Sequence, residues 1–98
     1  MNREDLARKL NSVGKQAFVE HFDLFKKHAT GQINRGRAVD ELVRLGISND
    51  SGAGIRVGNA KLIFDSHKEA EALEIIAESR RLSATVIGEA RKLRSECA

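Results

Sequence analysis

Basic side chains are the residues of this chain whose types and spacing point most directly to a chemistry. Residues 24–64 carry seven positive and three negative side chains, and residues 79–98 carry five positive and two negative. Between them, residues 65–78 carry one positive and five negative. Lysine and arginine neutralise phosphates, so this distribution and the net charge of +3 permit contact with nucleic acid without requiring it.

The middle of the chain fits the outline of a helix-turn-helix unit over residues 35–64. The pattern predicts a helix over 35–45, a glycine-containing turn, and a second helix from about residue 51. The fit is partial, because a small residue stands where such motifs usually bury an aliphatic one. An ordinary helical corner with a solvated basic face is the alternative. If the unit binds double-stranded DNA, the predicted contacts are Arg35, Arg37, Arg44, Arg56 and Lys61.

An acidic stripe gives the second hypothesis. Glu71, Glu74 and Glu78 follow one another at helical spacing and so share one face of a predicted helix. Such a face is suited to a basic protein partner, and the charged helices of residues 65–98 would then belong to an inhibitor or adaptor. A homodimer is compatible with either hypothesis, because a second copy would stabilise a chain of this size.

No catalytic or metal-binding constellation emerges from the sequence. His21, His28 and His67 do not have zinc-ligand spacing, and we expect exposed helical histidines. Cys97 stands next to the terminus without a histidine-based constellation, which is typical of an inert thiol. We therefore expect a non-catalytic binding or regulatory protein that has no metal and no cofactor.

A glycine-rich segment at residues 52–58 resembles a phosphate-binding loop only superficially. It lacks the Gly-Lys-Ser/Thr ending and a preceding strand, so small residues that allow close helix packing are the better interpretation. Residues 51–64 fit either a helix or a hairpin around Gly58-Asn59. Apolar residues at spacings of four, three and four favour the helix.

Helical spacing of apolar residues runs through the whole chain and predicts an all-α fold. We expect a compact bundle of five or six short helices, over 3–12 and 14–29 (or one kinked helix), 35–45, 51–64, 67–81 and 83–96. Asn2, Asn34, Ser66 and Ser83 are the predicted N-terminal caps, with Ser66 and Glu69 as a capping box. Predicted core residues are Phe18, Phe22, Leu42, Leu73 and Ile76, with Val39 and Val43 also directed inward.

Length and composition favour a single domain and a cytoplasmic compartment. The chain has 98 residues, no proline and one cysteine, which favours a single helical domain over 1–98 without a disulfide. The charged N-terminus lacks the apolar segment of a signal peptide, and no run has the roughly 20 apolar residues of a membrane span. The sequence thus favours a cytoplasmic protein without a membrane partner.

Overall fold

The computed structural model describes residues 1–97, and these residues form seven helices and no strand. The fold is all-α, as the helical spacing predicts. The helices are α1 Arg3–Val13, α2 Lys15–Glu20, α3 Phe22–Ala29, α4 Arg35–Arg44, α5 Asp50–Asp65, α6 Glu69–Ala77 and α7 Ala84–Glu96.

Four of the helices begin with an N-cap residue whose side chain accepts a backbone hydrogen bond. Asn2 accepts a hydrogen bond from the Asp5 backbone N–H at 2.8 Å, and Asn34 accepts one from Arg37 at the same distance. Ser83 does the same for α7, which confirms three of the predicted caps. α5 begins at Asn49, whose side chain accepts from Gly52. Each cap satisfies a backbone donor that the first turn leaves without a helical partner.

Residues 1–97 form seven helices rather than five or six because the segment 14–29 is divided. Gly14 lies at φ +93° between α1 and α2, a conformation that favours glycine. His21 separates α2 from α3 with a non-helical backbone at φ −118° and ψ 25°. The apolar spacing continues through His21, so the sequence pattern did not reveal this second break.

The predicted capping box at Ser66 and Glu69 is wrong. α5 ends with Ser66 as its C-cap, and His67 takes a left-handed φ of 56°. The His67 and Lys68 N–H groups then bond back to the carbonyls of Phe64 and Ile63, closing the helix as a Schellman motif. Ser66 therefore belongs to the end of α5, and α6 starts at Glu69 without a side-chain cap.

α5 is the central element of the fold, and it is a helix, not a hairpin. It packs against α1, α3, α4 and α6. Ala53, Val57 and Ala60 are among its fully or almost fully buried residues. These small and medium side chains let the neighbouring helices approach closely, and they are the residues whose spacing predicted the helix.

A cluster of four phenylalanine rings fills the core beside α5. The ring of Phe18 lies 5.5 Å from Phe22, 6.2 Å from Phe25 and 5.9 Å from Phe64, measured between centroids. Phe18 and Phe25 are completely buried. All five predicted core residues are buried, but Val43 is 37% exposed, because the inward face of α4 is formed by Ala38 and Leu42.

Replacement of Leu73 by alanine should lower the free energy of unfolding by about 2–5 kcal/mol, because Leu73 is completely buried and the change leaves a cavity. Leu62 is a matched control, since it is 47% exposed and its replacement should change stability by at most about 0.5 kcal/mol. Urea unfolding followed by circular dichroism measures both. Equal losses of unfolding free energy in the two variants would contradict the assignment of Leu73 to a buried face and Leu62 to an exposed one.

Candidate binding surfaces

Two of the five predicted DNA contacts are engaged with carboxylates of their own helix. Arg44 pairs with Glu41 on α4, and Lys61 Nζ lies 2.6 Å from Asp65 Oδ2 on α5. The hydrogen bond from Arg44 lowers the pKa of the Glu41 carboxyl. A phosphate would have to displace these carboxylates before it could use either cation.

A third predicted contact, Arg56, joins two parts of the fold. Its Nη1 donates to the carbonyl of Val13, the last residue of α1. A Cβ on the neighbouring Gly14 would lie 2.7 Å from Arg56 Nη1, so the guanidinium occupies the space that the glycine leaves. One N–H of Arg56 is thereby fixed to the backbone, and the residue also lines a cleft described below.

Arg35 and Arg37, at the start of α4, have no ion pair within residues 1–97. The guanidinium of Arg35 extends across α5, with Nη2 only 2.9 Å from the place a Cβ on Gly54 would take. Its Nη1 lies 3.5 Å from the corresponding point on Gly58. The two glycines thus make room for Arg35 on α5, whereas Arg37 is an exposed residue of the first turn of α4.

The acidic stripe is also matched by cations of the same chain. Glu74 accepts a hydrogen bond from Arg94 of α7 at 2.9 Å. Arg3 of α1 lies 3.6 Å from a carboxylate oxygen of Glu71 and 3.1 Å from one of Glu78. The stripe therefore links α6 to α1 and α7, and its charges are less available to a partner than the sequence pattern indicates.

The α4–α5 pair has an apolar outer surface. Apart from Met1, the large apolar residues that are exposed within residues 1–97 all lie between residues 43 and 62: Val43, Leu45, Ile55 and Leu62. Ile55 and Leu62 are seven residues apart on α5 and therefore share one face. We call Ile55, Gly58, Asn59 and Leu62 the α5 strip; it contains no lysine or arginine.

A helix-turn-helix unit would need a surface that reads DNA, and the α5 strip has little suitable chemistry. α4 and α5 are joined by residues 45–49, with Gly46 at φ 74°; the turn of such motifs often contains a glycine but is usually about three or four residues long. The side-chain amide of Asn59 already donates to the carbonyl of Ile55. DNA binding by this unit remains a prediction, to which the apolar strip adds no support.

A basic cleft of about 600 Å³ lies on another part of the molecule. It is bordered by the α1–α2 corner, the turn after α4, and the connection between α6 and α7. Its charged residues are the cations Lys15, Arg56 and Arg81 and one carboxylate, Glu20, which accepts a hydrogen bond from Gln16 at 2.7 Å. The sequence reasoning identified only Arg56, because no spacing relates the three cations along the chain.

Comparison with known proteins gives no family. No protein-family model, curated protein or solved structure matches this chain. Within residues 1–97, no three histidine, cysteine, aspartate or glutamate residues are grouped so that they could hold a metal ion. None of the described helices has the length and apolar character needed to cross a membrane. Functional inference therefore depends on the surfaces described above.

His28 is buried, contrary to the expectation of exposed helical histidines, and Nδ1 has no hydrogen-bond partner in the described residues. Burial lowers the pKa of His28, as do the nearby cations Lys61 of α5 and Arg35 of α4, while Asp65 of α5 opposes them. The imidazole of His28 thus binds a proton less tightly in the folded protein than in the unfolded chain. The resulting stability is present above about pH 6.5 and is lost as the pH falls through the lowered pKa.

Replacement of His28 by leucine should therefore weaken the loss of stability below pH 6.5, because leucine binds no proton. Urea unfolding at intervals between pH 5 and pH 8 measures the free energy of unfolding for each protein. His67→Asn is the control, since it removes an exposed histidine and asparagine tolerates a left-handed backbone. If the free energy of unfolding of the leucine variant depends on pH as steeply as that of wild type and of this control, His28 is not the group responsible.

Proposed function

We propose that this chain is a non-catalytic protein-interaction module that binds an amphipathic helix of a partner protein on the α5 strip. The observation that carries the proposal is the exposure of Ile55 and Leu62, which are 57% and 47% exposed on the face of α5 opposite its buried residues. Single exposed apolar residues are ordinary, but apolar residues that share one exposed face, as Ile55 and Leu62 do, are a common mark of an interaction site.

The charge beside the strip indicates the chemistry of the partner. Arg35 lies against Gly54 and Gly58, at the edge of the strip, and has no carboxylate partner within residues 1–97. A helix with apolar residues at intervals of three, four and seven would cover Ile55 and Leu62. An aspartate or glutamate on its flank would pair with Arg35 in a region shielded from water, which strengthens the contact.

The proposal differs from both hypotheses that the sequence supports most directly. The protein partner is retained, but the surface moves from Glu71, Glu74 and Glu78 to α5, because those carboxylates are already paired with Arg3 and Arg94. Double-stranded DNA becomes the second hypothesis, since its predicted contacts are partly engaged. A homodimer through the α5 strip remains a possible outcome of the experiments.

Site-specific photo-crosslinking in the cells that make the protein tests the proposal. A photoreactive phenylalanine analogue at position 55 or 62 should form a covalent adduct with the same partner protein. The matched control is position 8, because Arg8 is also well exposed and lies on the face of α1 opposite the buried residues Leu6, Leu10 and Val13. An adduct with a second copy of the chain, or equal adducts from position 8, would overturn the proposal.

The purified partner then allows affinity to be measured. Ile55→Ser and Leu62→Ser should each weaken binding at least about tenfold, as expected for residues at the centre of an interface. Arg8→Ser is the control, because it removes an exposed side chain from the face of α1 opposite its buried residues. Arg35→Glu should also weaken binding, and a lysine in place of the partner's acidic residue should restore it. If none of the strip variants changes the affinity for the partner, the α5 strip is not the binding site.

The DNA hypothesis predicts a different result in a gel-retardation assay. Counterion release makes log affinity fall with log salt by about 0.9 for each phosphate contacted. Retardation of duplex DNA at 50 mM salt that weakens steeply by 200 mM, with a slope that Arg35→Ala and Arg37→Ala together reduce, would favour nucleic acid over the protein partner. We expect no retardation at 50 mM salt.

A further inference from the structure

The basic cleft is independent of the α5 strip and has a composition of its own. Lys15 begins α2, Arg56 belongs to α5, and Arg81 lies in the connection between α6 and α7. Three segments that are far apart in sequence thus each contribute a basic residue to the lining of one cleft. Glu20 is the only carboxylate in its lining, and Gln16 already donates to it.

The fold holds the arginine of this cleft in place. Arg56 donates one N–H to the Val13 carbonyl, and a guanidinium has five such donors. No other hydrogen bond of Arg56 is formed within residues 1–97. Because Gly14 has no Cβ, the guanidinium packs directly on the α1–α2 corner. A side chain fixed in this manner loses little freedom when it binds an anion, which favours binding.

Polar groups that can donate hydrogen bonds to oxygen complete the lining. The amide side chains of Asn11 and Gln16 and the hydroxyl of Ser79 belong to the cleft, beside the apolar residues Ile47 and Leu82. The volume, about 600 Å³, is within the usual range of small-molecule sites. The cleft therefore offers cations, neutral donors and an apolar wall to the same ligand.

We propose that this cleft binds a small organic phosphate, with Lys15, Arg56 and Arg81 holding the phosphate group. A phosphate monoester carries a charge of about −1.5 to −2 at neutral pH and has three acceptor oxygens. These features match three cations and one carboxylate better than the single charge of a carboxylate ligand does. The apolar wall at Ile47 and Leu82 would contact the organic part of the ligand.

Titration of the purified full chain with adenosine monophosphate, followed by amide chemical shifts, tests the site. The largest shifts should occur at Gly14, Lys15, Gly46 and Arg81. Adenosine and acetate are the matched probes that lack the phosphate, and neither should bind measurably. Shifts of equal size with adenosine, or shifts confined to other parts of the molecule, would overturn the proposal.

Variants of Lys15 and Arg81 test whether the cations of the cleft hold the phosphate. Lys15→Gln and Arg81→Gln should each weaken binding about tenfold, because each removes a charge-assisted hydrogen bond. Lys9→Gln and Lys92→Gln are the controls, since they remove the same charge outside the cleft and should leave the affinity unchanged. Circular dichroism verifies that each variant is folded. Arg56 is left intact because its contact with Val13 also supports the α1–α2 corner.

A nucleic-acid backbone carries phosphate groups similar to that of a small organic phosphate. A second titration distinguishes these two kinds of ligand. Single-stranded oligonucleotides of 4, 8 and 12 nucleotides should bind no more tightly than adenosine monophosphate if the cleft takes one small ligand. Affinity that rises with oligonucleotide length and falls in the Lys15 and Arg81 variants would overturn the small-ligand proposal in favour of a nucleic-acid backbone. A failure to bind any phosphate would overturn both and leave the α5 strip unaffected.

Discussion

Burial of α5 is the constraint on which the rest of the structure depends. Four other helices pack on it, and the contacts use side chains small enough for close approach, such as Ala53 and Ala60. The energetic gain comes from removing the apolar faces of α1, α3 and α4 from water at the same time. Since a 98-residue domain has only a modest core, the packing on α5 accounts for much of its stability.

The same constraint determines which residues remain for binding. Because α5 is covered on most sides, its polar and charged residues were recruited into the fold: Arg56 caps the end of α1, and Lys61 pairs with Asp65. The large side chains that α5 leaves exposed on the face opposite its buried residues are apolar, namely Ile55 and Leu62. Basic residues line a cleft elsewhere, where Arg56 of α5 lies near the α1–α2 corner and the α6–α7 connection.

Local pattern predicted most of the fold and little of the candidate sites. Spacing identified the buried face of α5 and the core residue Phe18, and cap chemistry identified Asn2 and Asn34. It failed where a backbone break carries no distinctive residue, as at His21, and where the end of one helix competes with the start of the next, as at Ser66. The cleft could not be predicted, because Lys15 and Arg81 meet only through tertiary packing. Ile55 and Leu62 were visible on a helical wheel, opposite the buried side, once α5 was assigned.

The contact between α1 and α5 joins two segments that the ribosome synthesises at different times. α1 ends at Val13, but its packing partner is complete only when Asp65 has been made. At translation rates of about 5–20 residues per second, roughly 3–10 s separate the two events. During that interval Leu6, Leu10 and Val13 lack α5, the helix with which α1 has its most extensive contact. The apolar face of α1 therefore stays partly open to water until residues 50–65 have been synthesised.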